Sequence, residues 1–247
     1  MSHNLVLQEG AILIADAHYS KQNPQLFSFL KDIESKKIKT TQLILMGDIF
    51  ELLFGTIKKT IKDNQEEVNL INKISLDIEV IYFEGNHDFN LKKVFPNVKV
   101  FPIQNQPQVF NFNNQKVELS HGDTKTPFGY QLYTKFIRNR AILSCIGFVN
   151  ILCFNCVIKW LKSRGEEKNQ AYKINSFKEI IQTRLKNYED KNLDIVIEGH
   201  FHQDTSFELY NLYYKNLSAF SCNRKYFIVQ SNKEQLFLQD LFYKETN

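Results

Sequence analysis

The sequence predicts a layered α/β sandwich interrupted by a helical insertion. Three observations lead there. Short apolar runs that read as buried strands alternate with helical spacings, the C-terminal part returns to strand-like patterns, and between them residues 128–190 carry helical signals alone. The expected division is a core of residues 1–127 and 191–247 with 128–190 inserted between two of its strand-plus-loop units. With 247 residues, 43% of them hydrophobic and 21 phenylalanines, the chain has material for one sizeable core and is not a disordered composition.

Taken in order, "AILIA" (11–15), "QLILM" (42–46), "IEVIYF" (78–83), "KVELS" (116–120) and "DIVIE" (194–198) read as buried strands. Between the first two, "NPQLFSFLKDIESKK" (23–37) has helical spacing with a proline close to its start, and 62–76 is a weaker helix. Near the end "YYKNLSAF", "KYFIVQ" and "EQLFLQDL" read as further strands joined by short turns. Inside the insertion, "AILSCIGFVNILCFNCVI" (141–158) runs 18 residues without a charge, flanked by Arg138, Arg140, Lys159, Lys162 and Arg164. Its length is marginal for a membrane span. A helical hairpin broken near Gly147 or Asn155 is the expectation, because a crossing here would separate chemistry-bearing residues on either side of it.

Charge and cysteine narrow the function classes. Lys and Arg exceed Asp and Glu by 31 to 27, a net charge of +4, which is too small a surplus to argue for nucleic acid but favours anionic partners. The start "MSHNLVLQEG" lacks the basic and long apolar regions of a signal peptide, so a cytoplasmic protein is expected. Cys145, Cys153, Cys156 and Cys222 show no disulfide-framework spacing, and the expectation is buried, reduced thiols.

The chemistry lies where the strands end. After "AILIA" come Asp16 and His18; after "QLILM", Gly47, Asp48 and Glu51; after "IEVIYF", Gly85, Asn86, His87 and Asp88; after "KVELS", His121, Gly122 and Asp123; after "DIVIE", Gly199, His200 and His202. Open α/β sheets place their sites in loops at the carboxyl ends of strands. One D-x-H or one G-D turn means little. Together they mean more, because five of the six histidine-bearing positions (18, 87, 121, 200 and 202) fall just after strand candidates and only His3 does not. A mixed set of imidazole, carboxylate and amide groups suits Mn, Fe, Zn or Co. Seven candidate ligands, Asp16, His18, Asp48, Asn86, His121, His200 and His202, exceed what one tetrahedral ion takes and suit two ions sharing a carboxylate.

The order D-x-H, G-D-x-x-E, G-N-H-D, H-G-D, G-H-x-H over roughly residues 11–205 resembles the calcineurin-like metallophosphoesterase superfamily. The resemblance implies an αββα sandwich and a two-metal phosphoester hydrolase. It assigns Asp16, His18, Asp48 and His202 to one ion, and Asp48, Asn86, His121 and His200 to the other, with Asp48 bridging. It makes His87 an uncoordinated general acid whose ring Asp88 orients. Mn is the first expectation for the metal, with Fe, Zn, Co or Mg as alternatives.

Within that superfamily, "GDIFELLFG", "HGDTKTPFGYQLY" and the helical insertion after them look like the UDP-2,3-diacylglucosamine diphosphatases of bacterial lipid A synthesis. That likeness implies cleavage of a pyrophosphate to release UMP and 2,3-diacylglucosamine 1-phosphate. It also implies a cap that takes acyl chains, with Asn86, Tyr130, Arg164, Lys168 and Asn169 as substrate contacts and a peripheral place at the inner face of the inner membrane. His87 departs from this subgroup, which commonly has G-N-R-D. A soluble phosphodiesterase or phosphatase with another substrate therefore remains the alternative, and no nucleic-acid partner is expected.

Overall fold

The computed structural model describes residues 4–124, 128–166, 172–186, 192–209 and 211–245. The first half contains β1 (Leu5–Val6), β2 (Ile12–Ile14), α1 (Gln25–Glu34), β3 (Gln42–Leu45), β4 (Leu53–Phe54), α2 (Lys58–Asp63), α3 (Gln65–Ile74) and β5 (Glu79–Phe83). Next come β6 (Asp88–Phe89), β7 (Lys99–Phe101), β8 (Gln108–Phe112) and β9 (Gln115–Ser120). Four helices follow: α4 (Phe128–Ile137), α5 (Arg140–Leu152), α6 (Cys156–Glu166) and α7 (Phe177–Leu185). The chain then adds β10 (Ile195–Glu198), β11 (Thr205–Leu209), β12 (Leu212–Asn216), α8 (Phe220–Asn223), β13 (Lys225–Asn232) and β14 (Gln235–Phe242).

Two six-stranded sheets stack face to face, in the orders β1-β8-β9-β10-β12-β11 and β14-β13-β2-β3-β5-β7. Side-chain alternation builds the layers. In β2, β3, β5 and β10 the residues Leu13, Ile44, Ile81, Phe83, Ile195 and Ile197 point between the sheets, where Phe110, Val117 and Leu119 meet them. Their neighbours Ile12, Ile14, Leu43, Leu45, Val80 and Tyr82 point the other way, onto Leu26, Phe29, Leu30 and Ile33 of α1 and Val68 and Ile71 of α3. On the far side, Val196 and Tyr214 are covered by Phe177, Ile181 and Leu185 of α7. The result is the layered αββα sandwich. Because both faces of the central strands are buried, they carry continuous apolar runs, which is what made them legible in the sequence.

The pairs β2–β3, β3–β5 and β5–β7 run parallel, as do β9–β10 and β10–β12 in the other sheet. The carboxyl ends of β2, β3 and β5 therefore share an edge, and those of β9 and β10 share another. The loops from both edges converge at one rim of the sandwich.

The apolar run 141–158 divides into α5 and α6. Phe154 and Asn155 take left-handed φ of 51° and 66° and break the helix. Asn150, buried at the turn, donates from Nδ2 to Asn155 Oδ1 at 3.0 Å, and its Oδ1 accepts the Ile158 amide at 3.1 Å. No described helix is long and apolar enough to cross a membrane. Leu143 and Ile158 of this hairpin pack with Leu52, Phe54, Ile57 and Phe89. Much of its remaining apolar surface faces outward: Phe148, Val149, Ile151, Leu152 and Trp160 are exposed, and Phe154 is 85% exposed.

The cysteine expectation is corrected. Cys153 and Cys156 are joined in a disulfide, and Cys145 and Cys222 are free and exposed. The C-x-x-C straddles the turn between α5 and α6 instead of lying within one helix, so the chain reverses between the two sulfurs and brings them together.

Candidate metal centre

Each expected ligand sits in a loop that leaves its strand abruptly. Asp16, His18, Asp48, His200 and His202 all take left-handed backbone conformations, with φ between 42° and 64°. For residues with a Cβ this costs roughly 1–2 kcal/mol each, and such strain persists only where the surroundings over-determine it. Two glycines make the close approach feasible. Gly47 has φ +89°, and a Cβ there would overlap the His121 ring; a Cβ on Gly85 would overlap the Asp48 carboxylate.

The loops bring the side chains into three groups, within each of which the ligand atoms lie within 4.8 Å of one another: Asp16, His18 and His202; His18, Glu51 and His87, which shares His18 with the first; and Asp48, His121 and His200. His202 Nε2 is 3.1 Å from Asp16 Oδ1, and His121 Nε2 is 3.5 Å from Asp48 Oδ2. The amide of His200 donates to Asp16 Oδ2 at 2.9 Å, and that of His87 to Asp48 Oδ1 at 2.8 Å, so the groups interlock through backbone. The His121 and His200 rings stand 5.0 Å apart, and those of His18 and His87 4.8 Å apart.

Divalent cations fit this donor set. His18 Nε2 and Asn86 Oδ1 are buried without a hydrogen-bond partner, and Asp16 Oδ1, His18 Nδ1 and His121 Nε2 are buried facing only another ligand-type group. Buried polar atoms are normally satisfied, and orphaned lone pairs facing one another are what a cation would fill. His121 Nδ1 meets the Met46 carbonyl oxygen at 2.9 Å, which orients the ring and presents Nε2 to the centre.

The electrostatics agree. Burial alone would raise the Asp48 carboxyl, but the His121 and His87 charges hold it well below the usual carboxylate range. Burial would likewise lower His121, yet Asp48 carries it well above the usual histidine value. His87 is pulled down by burial and pushed up by Asp48 and Glu51, to about 9.

One expected role is corrected. Asp88 does not orient the His87 ring. Its buried carboxylate accepts the amides of Asp48, Ile49, Phe50 and Gly85, at 3.1, 2.6, 3.2 and 2.9 Å, and the Tyr82 hydroxyl at 2.6 Å. It shapes the Asp48 turn. The ring of His87 is held by Glu51 instead: Nδ1 lies 2.9 Å from the Glu51 carbonyl oxygen and 3.5 Å from its carboxylate, whose other oxygen is 3.2 Å from His18 Nδ1. Burial would raise Glu51, but its hydrogen bonds to His18 and His87 bring it down to about 2. Glu51 had a signal in sequence, three residues after Asp48 in G-D-x-x-E, without an indication of its two partners.

Of the expected substrate contacts, Asn86 stands between Gly85 and His87, with its Oδ1 buried and unpartnered. Tyr130 belongs to α4 and Arg164 to α6, but their side chains, and all of Lys168 and Asn169, lie outside the described residues. Arg138 is not a surface cation flanking the apolar run. It is buried, with Nη2 donating to the Gly85 carbonyl oxygen at 2.8 Å and to Asp123 Oδ2 at 3.1 Å, and its guanidinium lies 5.4 Å from the Phe89 ring. Arg184 of α7 donates to the Gly122 carbonyl oxygen at 2.7 Å and pairs with Glu198. Neither arginine had a local sequence signal for these contacts, because its partners are far away in the chain.

The family model for calcineurin-like phosphoesterases matches residues 11–204. A UDP-2,3-diacylglucosamine hydrolase from Wigglesworthia glossinidia brevipalpis is 27% identical over 91% of this chain and 95% of its own length. One from Psychromonas ingrahamii is 22% identical over 80% of this chain and 82% of its own. Among solved structures, a conserved Streptococcus pneumoniae protein named as a predicted phosphoesterase superposes with a TM-score of 0.46 at 12% identity, covering 95% of this chain and 89% of that one.

Proposed function

This chain belongs to the calcineurin-like phosphoesterase family and is a phosphoester hydrolase, and we propose that it cleaves the pyrophosphate of UDP-2,3-diacylglucosamine to UMP and 2,3-diacylglucosamine 1-phosphate. Two Mn²⁺ ions are the proposed cofactors. Asp16, His18, Asp48 and His202 would hold one, and Asp48, Asn86, His121 and His200 the other, with Asp48 shared. When bound, such ions neutralise phosphoryl charge and lower the pKa of water.

The protein's own groups would do the rest. His87 faces Glu51 through Nδ1, which leaves Nε2 to hand a proton to the departing oxygen. The Glu51 carboxylate, 3.5 Å from Nδ1, favours a charged, donating ring. Asp88 fixes the turn that presents Asp48. Asn86 would also touch the phosphate, and Tyr130, Arg164, Lys168 and Asn169 are proposed contacts to the rest of the substrate.

The observation that carries the choice of substrate is the placement of the α5–α6 hairpin. It packs on Leu52, Phe54 and Phe89, next in sequence to Glu51 and close to His87, and still exposes Phe148, Ile151, Leu152 and Phe154. An apolar cap beside a phosphoester site suits an acylated substrate. Exposed Arg140 and Lys159 suit anionic headgroups, which supports a peripheral place at the inner membrane face. The names of the relatives point the same way.

The test is purified protein with Mn²⁺ and the substrate in detergent micelles, with UMP read against UDP. UMP supports the reading, and release of UDP or no turnover overturns it. His87 favours a second reading, a phosphodiesterase or phosphatase acting on a water-soluble ester, since the lipid A enzymes commonly carry arginine there. Turnover of soluble esters without detergent dependence would select it.

A further inference from the structure

We propose that Arg138 and Arg184, from opposite ends of the helical segment between β9 and β10, are positioning residues for the Asp48–Asn86–His121–His200 subsite, so that this segment controls how tightly the second cation is held. The proposal rests on the two-cation reading above and extends it to residues outside the ligand set.

Four loops must converge to form that subsite: 47–48, 85–86, 121–123 and 198–200. Asp88 holds the first, and each of the other three is gripped by a guanidinium from the helical segment. Arg138 follows α4 and donates to the carbonyl of Gly85, the residue before Asn86, and to Asp123, two residues after His121. Arg184 on α7 donates to the carbonyl of Gly122, the residue after His121, and pairs with Glu198, two residues before His200. The remaining grip on Glu198 comes from Ser120 Oγ at 3.2 Å and the Tyr214 hydroxyl at 2.9 Å. Asn90 returns the contact on the other side, donating to the Arg138 carbonyl oxygen at 3.0 Å.

These are buried ion pairs, with side-chain exposures of 4% for Arg138, 0% for Asp123, 11% for Arg184 and 3% for Glu198. Burying a guanidinium is costly, and an apolar residue of similar size often serves stability as well or better. A role in tying loops together accounts for both arginines: Arg184 holds a backbone carbonyl with Nη1 and a carboxylate with Nη2, and Arg138 holds one of each through Nη2, which an apolar residue could not do. The subsite of Asp16 and His18, though tied to the His200 amide, has a brace of its own, where the Asp16 carbonyl oxygen accepts from Ser221 N at 3.2 Å and Ser221 Oγ at 2.9 Å. Gln203, bonded to Tyr172 and Ile174, steadies the loop that carries both His200 and His202 and so does not distinguish the two ions.

The experiment is a Mn²⁺ titration of the metal-free, full-length protein, with free Mn²⁺ read by electron paramagnetic resonance. Wild type is compared with Arg138→Met, Arg184→Met and the two Lys variants. Disturbing groups that orient metal ligands typically weakens affinity about 10–100-fold. The expected result is a first ion bound as in wild type and a second bound at least about tenfold more weakly in both Met variants, with partial recovery in the Lys variants. On a small soluble diester at limiting Mn²⁺, kcat falls with KM unchanged, and excess Mn²⁺ restores it. Unchanged binding of both ions, or equal weakening of both, overturns the proposal. If one Met variant fails to fold, the other decides by the same criterion. A wild-type protein that binds fewer than two ions refutes the two-cation reading itself, whatever the variants do.

Discussion

At the scale of single residues, the site depends on a few atoms that tolerate no substitute. Gly85 lies against the Asp48 carboxylate, and any Cβ there must displace it. Gly85→Ala is expected to cut hydrolysis of a small diester on the order of 10²-fold, the usual consequence of moving a catalytic group by about 1 Å. Metal analysis should show loss of bound ion in the same variant. His87 is the opposite case. As a proton donor outside the ligand set, His87→Ala should slow turnover about 10²–10⁴-fold while two ions stay bound. Loss of an ion would instead assign His18, Glu51 and His87 as a ligand group, since their atoms lie close enough to hold one. Asp88 and Glu51 illustrate the limit of motif reading. Adjacency suggested that Asp88 serves His87, but β6 turns its carboxylate toward the Asp48 amides, and Glu51 takes up the ring.

Among the elements, the central strands and the hairpin behave differently. β2, β3, β5, β9 and β10 are buried on both faces, and their apolar runs predicted them within one or two residues. β8 was not anticipated: "QVFNF" mixes polar and apolar residues because one of its faces is partly open. The two-residue strands β1, β4 and β6 have too few residues for any pattern. The α5–α6 hairpin was legible as an apolar run, but where it breaks is decided by Phe154, Asn155 and the Asn150 side chain. Replacing residues 141–158 by a short polar loop should spare hydrolysis of a chromogenic diester and impair turnover of the acylated substrate. Comparable loss on both would make the hairpin a purely structural element.

For the whole molecule, cation binding and folding should be one equilibrium. The native centre gathers buried carboxylates and imidazoles that an unfolded chain cannot hold together, so cations bind the folded state preferentially. An ion at about 100 times its Kd adds about 2.7 kcal/mol of stability. For a chain of this length that shifts the melting temperature by roughly 5–10 °C. Chelation should therefore lower the melting temperature, and added Mn²⁺ should restore it in a concentration-dependent way; a midpoint indifferent to both would contradict a metal centre built into the core.

The sequence by itself determined the layered class, the central strands and the placement of ligand-type residues at strand ends, because double-sided burial and loop chemistry leave local patterns. Only the tertiary structure decided which of those residues meet, that Glu51 and not Asp88 holds His87, and that Arg138 and Arg184 clamp the loops. Those contacts join residues as distant in sequence as Gly85 and Arg138 or Gly122 and Arg184. Hydrogen bonds of that kind impose no spacing on the chain, so no periodicity records them.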